Sequence, residues 1–343
     1  MKGRVIAVGH WQGAEAAALI EDGVVTDILR DADQPRPGTI YRAIADRPAK
    51  GQGGVFVRTP DGQGFLRQVK GVSAGGALLV QVTGYAEPGK AIPVTARVLF
   101  KSRYAIITPG APGLNVSRSL RNDDRRDALT VLAKEEMQGR GALGLILRSA
   151  CETAEDEEVA EDIRQMADLA MQVLGDEDGS EPEKLVEGDG PHALAWRDWP
   201  SPDIWAEEPD AFDHFGVLET FDALNSPYVS LDGEGGMFIE PTRALIAVDV
   251  NTGSPTQTLA GLRVNTQAAR ALPRQLRLRG LGGQIVLDLA PMPKKDRKTF
   301  ESALRAAFRK DAVETALVGW TPLGHFELQR KRDRLPFVIM GVS

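Results

Sequence analysis

Two apolar stretches that each contain one aspartate decide the fold of this chain: residues 244–253 read ALIAVDVNTG, and residues 274–292 read RQLRLRGLGGQIVLDLAPM. The nearly unbroken apolar runs before Asp249 and before Asp288 are typical of strands buried on both faces. The basic segment between them predicts a helix that joins the two strands. We therefore expect an α/β fold in which the two aspartates lie at neighbouring strand ends.

Asp249 and Asn251 are two residues apart, so in a strand both side chains point to the same side. A carboxylate in an apolar run is costly unless it is paired or bound to a metal. Two carboxylates at neighbouring strand ends make an oxygen-rich site that suits magnesium or manganese better than zinc. Asp249 and Asp288 are therefore the predicted metal ligands, and Asn251 completes the predicted catalytic set. For either aspartate alone, the alternative is a helix cap or an ion pair with an arginine of the intervening helix.

The segments around these residues read GGMFIEPTRALIAVDVNTG at positions 235–253 and VNTQAARALPRQLRLRGLGGQIVLDL at positions 264–289. They resemble the catalytic region of the bacterial ribonuclease E/G family, because order, spacing and residue types agree over more than one motif. The resemblance implies that Asp249 and Asp288 hold a magnesium ion and that Asn251 orients the scissile phosphate. It also implies cleavage of single-stranded RNA.

Composition is that of an ordinary globular protein. The 343 residues are 42% hydrophobic and 26% charged, which suffices for two or more compact domains. The single Cys151 excludes an internal disulfide and a multi-cysteine zinc site, which fits a reducing compartment. The start of the chain lacks a secretory hydrophobic segment, and no stretch approaches the ~18 apolar residues of a membrane span. We therefore expect a cytoplasmic protein without a membrane span.

Members of the family often carry a two-cysteine zinc link after the catalytic domain. This sequence does not contain those cysteines, and we expect a short form without the zinc link and the small domain that follows it. Assembly into a homo-oligomer remains an alternative, but not through a zinc link.

The charges of the chain are unevenly distributed, although the net charge is −7. Acidic residues are concentrated at positions 152–161, 176–189 and 207–213, which we interpret as solvated faces or loops. Residues 263–310 are rich in arginine and lysine around Asp288. This basic segment is predicted to follow RNA phosphates.

Residues 38–100 consist of short strand-like segments separated by glycines and turn residues. The segments read TIYRAIADR, GGVFVRT, QGFLRQVKG, ALLVQVTGY and IPVTARVLF. Five short strands at this spacing predict a small barrel of the OB type. GGVFVRTPDGQGFL also resembles the RNA-binding barrel of the family, which implies that Phe56 and Phe65 stack on bases and that Lys90 lies near the RNA backbone. From the residues alone, the alternative is that both phenylalanines belong to the barrel core.

Residues 101–188 are expected to form the next unit, with an amphipathic helix over residues 152–174. Within it, GALGLILRSA at positions 141–150 resembles the family segment that senses a 5′-monophosphate. The resemblance implies that role for Arg148 and Ser149. An arginine beside a hydroxyl suits a terminal phosphate, because a guanidinium donates two charge-assisted hydrogen bonds.

With the resemblance, these segments predict a multidomain α/β protein. Residues 1–37 and 189–230 are assigned to an RNase H-like lobe, into which the OB-fold barrel of residues 38–100 and the 5′-sensor-like unit of residues 101–188 are inserted. A DNase I-like α/β catalytic lobe over residues 231–343 follows. The implied function is a magnesium-dependent endoribonuclease of RNA processing or decay. The alternative is a non-cleaving RNA-binding protein derived from this family.

Overall fold

The structure is a computed structural model that describes residues 2–49, 53–67, 71–87, 89–233, 235–253 and 260–337. The chain forms two compact units: Asp33–Ser201, called here the barrel unit, and Met1–Ala32 with Pro202–Ser343, called here the two-sheet unit. None of the described helices combines the length and the apolar character that a membrane span requires.

The strands and helices are numbered along the chain. The strands are β1 (Arg4–Trp11), β2 (Ala14–Glu21), β3 (Val24–Arg30), β4 (Ile40–Ala49), β5 (Gly54–Thr59), β6 (Gly62–Arg67), β7 (Ala77–Val82), β8 (Ile92–Thr95), β9 (Phe100–Lys101), β10 (Ala105–Pro109), β11 (Gly113–Val116), β12 (Leu143–Leu147), β13 (Glu183–Val186), β14 (Ile204–Ala206), β15 (Tyr228–Ser230), β16 (Gly236–Pro241), β17 (Ile246–Asn251), β18 (Gly283–Asp288), β19 (Thr315–Trp320) and β20 (Phe326–Arg330). The helices are α1 (Asp123–Glu136), α2 (Asp156–Gly175), α3 (Pro191–Asp198), α4 (Ala211–His214), α5 (Val217–Leu224), α6 (Ala260–Leu278) and α7 (Arg297–Arg309).

The barrel unit contains a closed five-stranded β-barrel in the order β4-β5-β6-β8-β7, in which β7 pairs back with β4. β6 and β8 run parallel, and the other neighbouring barrel strands are antiparallel. Alternate side chains such as Val55, Val57 and Leu66 point inward and fill the barrel. The prediction of a small OB-like barrel is confirmed. Its last strand is shorter than predicted, because β8 ends at Thr95 and Phe100 belongs to the next sheet.

Residues 68–70 of the third predicted strand lie outside the described residues. β13 adds to the barrel by pairing with β4. The same unit also holds a four-stranded sheet in the order β11-β12-β10-β9. α1 and α2 share a hydrophobic core with this sheet, which includes Ile107, Leu129 and Ile163. The predicted amphipathic helix is α2, and it begins later than predicted because a 3-10 turn covers Ser149–Glu152.

The first sheet of the two-sheet unit has the order β14-β1-β2-β3. Two tight hairpins connect β1 to β2 and β2 to β3, and β14 pairs in parallel with β1. Gln12-Gly13 and Asp22-Gly23 all have positive φ, as two-residue type I′ hairpin turns require. α4 and α5 contribute Phe212 and Phe221 to the core beside this sheet.

The second sheet of the two-sheet unit has the order β15-β16-β17-β18-β20-β19. β17 and β18 are parallel and are joined through α6, whereas the other neighbours in this sheet are antiparallel. α6 and α7 cover one face, where alternate residues such as Val248 and Leu287 are buried. The opposite face, called here the open face, carries the exposed Asp249, Asn251 and Asp288.

The prediction that β17 and β18 are buried on both faces is therefore wrong. Both strands alternate between buried and more exposed side chains. Such alternation is expected in a largely antiparallel sheet, because helices need to cover only one of its faces. Both aspartates leave the sheet on the open face and remain in contact with solvent. Burial therefore imposes no cost on their charges.

Candidate active site

Asp249 and Asp288 lie side by side at the carboxyl ends of β17 and β18. The two residues are register partners in the parallel pair, so both side chains leave the open face. The Asp288 side chain keeps 69% of its accessible surface. Neighbouring strands are about 4.8 Å apart, which brings the two carboxylates close enough to share one cation.

Asn251 lies on the same face as Asp249, two residues further along β17. Its Nδ2 donates a hydrogen bond of 2.8 Å to Asp249 Oδ2. An amide nitrogen carries two hydrogens, so one donor of Asn251 is available to a ligand while the other orients the Asp249 carboxylate.

Neither aspartate forms an ion pair with an arginine within the described part of the chain. Two arginines of the connecting helix are directed elsewhere: Arg274 donates to a backbone carbonyl of β3, and Arg277 donates to a carboxylate before β19. The basic neighbour of Asp288 is His325, whose Nε2 lies 3.6 Å from Asp288 Oδ1. The alternative in which an arginine of α6 pairs with an aspartate is thus not what the structure shows.

The donor set of this site fits a hard divalent cation. Asp249 and Asp288 offer adjacent carboxylate oxygens on an exposed face, and magnesium is usually bound by one or two carboxylates together with waters and substrate phosphates. Among the residues that the structure describes, no group of three or more His, Cys, Asp or Glu side chains is arranged around a common metal position. Two carboxylates would thus supply only part of the coordination of a magnesium or manganese ion and would leave the rest to water and substrate.

Asn265 fixes the loop that follows Asp288, and sequence reasoning did not single it out. It is fully buried in α6, its Nδ2 donates to Ala290 O at 2.8 Å, and its Oδ1 accepts from Ala290 N at 3.0 Å. Gly261 adds a close approach, because a Cβ there would lie 2.0 Å from Pro291 O. The sequence does contain a signal for this role of Asn265, because a polar residue here falls within the buried stripe of an amphipathic helix.

Phe56 and Phe65 face each other across β5 and β6 on the outside of the barrel. They are register partners, their ring centroids lie 5.1 Å apart, and both rings are half-buried. The alternative that they belong to the barrel core is wrong, because the inward positions alternate with theirs. Lys90 is exposed and pairs with Glu87 at 2.9 Å. Contact of these side chains with RNA stays a prediction.

Arg148 lies directly after β12, and Ser149 begins the following 3-10 turn with an exposed side chain. The Arg148 guanidinium is already engaged: Nη2 contacts Asp198 Oδ1 at 2.7 Å, and Nη1 donates to the backbone carbonyls of Ser102 and Arg197. Burial opposes ionisation of Asp198, but hydrogen bonds and charges from Arg197 and Arg148 outweigh it and hold the pKa of this carboxyl below its usual value. A phosphate would have to compete with an ionised carboxylate for Arg148.

Comparisons with known proteins relate most of the chain to one family. The model of the ribonuclease E/G family matches residues 100–206 and 201–333. Ribonuclease G of Salmonella typhimurium is 27% identical over 92% of this chain and 77% of its own length. Ribonuclease E of Nostoc sp. is 25% identical and that of Synechocystis sp. 26% identical, each over 96% of this chain but only 55% and 56% of its own length. Because the family model matches more than half of the sequence, the chain belongs to the ribonuclease E/G family.

Proposed function

We propose that this protein is an endoribonuclease that hydrolyses phosphodiester bonds of single-stranded RNA with a divalent magnesium ion, in RNA processing or decay. The observation that carries the proposal is the register pairing of Asp249 with Asp288 on an exposed sheet face beside Asn251, where no arginine of the described residues pairs with either aspartate. Its context is the family membership and the relatives named ribonuclease G and ribonuclease E.

Four polar residues of the site have roles in this proposal. Asp249 and Asp288 hold the cation, and manganese can replace magnesium because both prefer oxygen ligands. The bound cation would lower the pKa of an attacking water and neutralise charge that develops on the phosphoryl oxygens. Asn251 orients Asp249 with one amide hydrogen and the scissile phosphate with the other. Asn265 keeps the end of β18, and with it Asp288, in position.

The barrel supplies the second part of the proposal. Phe56 and Phe65 present half-exposed rings on its outer surface, and stacking on aromatic rings tolerates any base. A surface of this kind suits an enzyme that binds single strands of varied sequence. Lys90 adds a positive charge for the RNA backbone.

The lobe assignments belong to the proposal as well. We assign the sheet with α6 and α7 to a DNase I-like lobe and the sheet β14-β1-β2-β3 to an RNase H-like lobe. In support of the second assignment, β14 comes from residues 189–230 and pairs with β1 from residues 1–37, so the two expected parts of that lobe share one sheet.

A cleavage assay with purified protein tests the function. A single-stranded AU-rich RNA, labelled at one end, is incubated with magnesium, with manganese, or with a chelator, and a duplex of the same sequence serves as the control. We expect internal cuts in the single strand with either metal and none with the chelator. Binding without cleavage under all conditions would favour the non-cleaving alternative, and neither binding nor cleavage would contradict both.

A further inference from the structure

Two exposed aromatic side chains border the carboxylate site on the open face of the second sheet. Phe238 on β16 is the register partner of Asp249 on one side and of Tyr228 on the other. Tyr228 keeps 42% of its accessible surface and Phe238 keeps 36%. Their ring centroids lie 5.1 Å apart with an interplanar angle of 55°. An aromatic surface therefore begins one strand spacing away from a predicted catalytic carboxylate.

The ring of Tyr228 extends this surface towards Asn251. It lies over Gly236, where an added Cβ would be 2.3 Å from Tyr228 Cε2. Gly236 is in turn the register partner of Asn251. Tyr228 and Phe238 together thus flank both polar residues of β17.

The hydrophobic core does not require these two rings. Neighbouring residues of β16, Met237 and Ile239, point to the opposite face and are fully buried in the core under α6 and α7. A ring that lies over a glycine stabilises a strand, which explains why one face of the Tyr228 ring packs on the sheet. It does not account for a second exposed ring at Phe238, directly beside Asp249.

The barrel contains the same arrangement on its outer surface. Phe56 and Phe65 are cross-strand partners with ring centroids 5.1 Å apart at 54°, and the Phe65 ring lies over Gly54, two residues before Phe56. Gly236 likewise lies two residues before Phe238. The pair that is expected to stack on bases therefore has a counterpart of equal geometry at the carboxylate site.

We propose that Tyr228 and Phe238 form a second base-stacking surface, which binds a nucleobase next to the scissile phosphate. The proposal rests on the proposed function and adds a substrate contact to it. The occupant is argued from chemistry: Asp249 and Asp288 would hold a cation, this cation would attract a phosphate, and the adjacent rings attract a flat apolar group. A nucleotide carries both groups in one molecule, and stacking on an aromatic face accepts any base.

The test combines a change in the protein with a change in the RNA. An abasic residue is scanned through the nucleotides on both sides of the cut, and kcat/KM is measured for wild type, Phe238→Leu, Tyr228→Phe and Val318→Ala. Phe238→Leu removes an aromatic face but keeps an apolar side chain, Tyr228→Phe keeps the ring, and Val318 is an exposed apolar residue on β19, at the other edge of the sheet.

For wild type we expect one abasic position to lower kcat/KM about tenfold. Phe238→Leu should lose about the same factor on intact RNA and lose nothing further at that position, because two changes to one contact are not additive. Val318→Ala should behave as wild type. Tyr228→Phe keeps a ring in the stacking surface and should therefore still lose kcat/KM at the abasic position. Fully additive losses, or an unchanged kcat/KM for Phe238→Leu with wild-type melting, would overturn the proposal.

A binding titration separates this proposal from the proposed function. If wild type does not cut RNA, the function fails, but the same abasic scan is read as Kd without metal. A position whose abasic form weakens binding to wild type and not to Phe238→Leu supports the stacking surface. Equal sensitivity of both proteins at every position overturns it.

Discussion

Asp249 and Asp288 are cross-strand partners on adjacent parallel strands, and both carboxylates leave the same exposed face. Like charges directly opposite each other destabilise a sheet. No arginine of the described residues is paired with them, and the cation of the proposed function would relieve this repulsion. The strand pairing is therefore the geometry on which the proposed metal site depends.

Asp249→Asn or Asp288→Asn is expected to abolish RNA cleavage, because either change removes one of two ligands for the cation. We also expect magnesium to raise the Tm of the wild-type protein but not that of either variant, since a cation that binds the folded state stabilises it. Cleavage of labelled RNA and thermal melting with and without magnesium check both effects. Asp222→Asn, an exposed aspartate of α5, is the matched control. Wild-type cleavage and a wild-type magnesium shift in both variants would contradict the metal site.

Asn265→Ala is expected to lower the free energy of unfolding by about 1–3 kcal/mol, because the buried N–H and C=O of Ala290 lose their partner. Activity should fall further than RNA affinity, since the loop after Asp288 is released. Denaturant unfolding, kcat and Kd are the measurements. The control is Thr266→Ala, which removes only a hydroxyl contact to the preceding helical turn. A variant that is as destabilised as expected but has wild-type kcat would show that the hydrogen bonds between Asn265 and Ala290 do not position Asp288.

Phe56→Ala or Phe65→Ala should weaken single-stranded RNA binding by ~1–3 kcal/mol, because each half-exposed ring offers a face to a base. Leu66→Ala is the matched core variant, since Leu66 is 1% exposed inside the same barrel, and it should cost ~2–5 kcal/mol of stability instead. Binding titrations and thermal melting of the three variants distinguish the two effects. If the phenylalanine variants melt early but bind RNA as tightly as wild type, the rings only support the barrel.

RNA with a 5′-monophosphate and RNA with a 5′-hydroxyl should be cut at similar rates, because the Arg148 guanidinium is held by Asp198 and by two carbonyls. Arg148→Ala should change the ratio of the two rates little. Asp198→Asn removes the competing carboxylate and should raise the preference for the monophosphate. Asp168→Asn, which breaks the Arg140–Asp168 ion pair of the same unit, is the control. A strong monophosphate preference in wild type that disappears in Arg148→Ala would show instead that Arg148 exchanges its partners for phosphate.

Features that depend on local periodicity can be predicted from the amino-acid sequence alone. The alternation and turn residues of residues 38–100 predict a five-stranded barrel because strand length and turn position are encoded within a few neighbouring residues. The two apolar stretches with Asp249 and Asp288 predict adjacent strand ends for a similar reason: a helix between two strands favours a parallel pair.

Contacts between side chains that are far apart in the sequence follow from the tertiary fold instead. Asn265 meets Ala290, Arg148 meets Asp198, and Tyr228 joins Phe238 beside Asp249 through the registers of β15, β16 and β17. A shift of the strand register by one residue moves every side chain of the strand to the other face of the sheet. Local sequence therefore cannot define these neighbours. It was likewise the packing of α6 and α7 on one face alone that left the carboxylates and the aromatic pair exposed together.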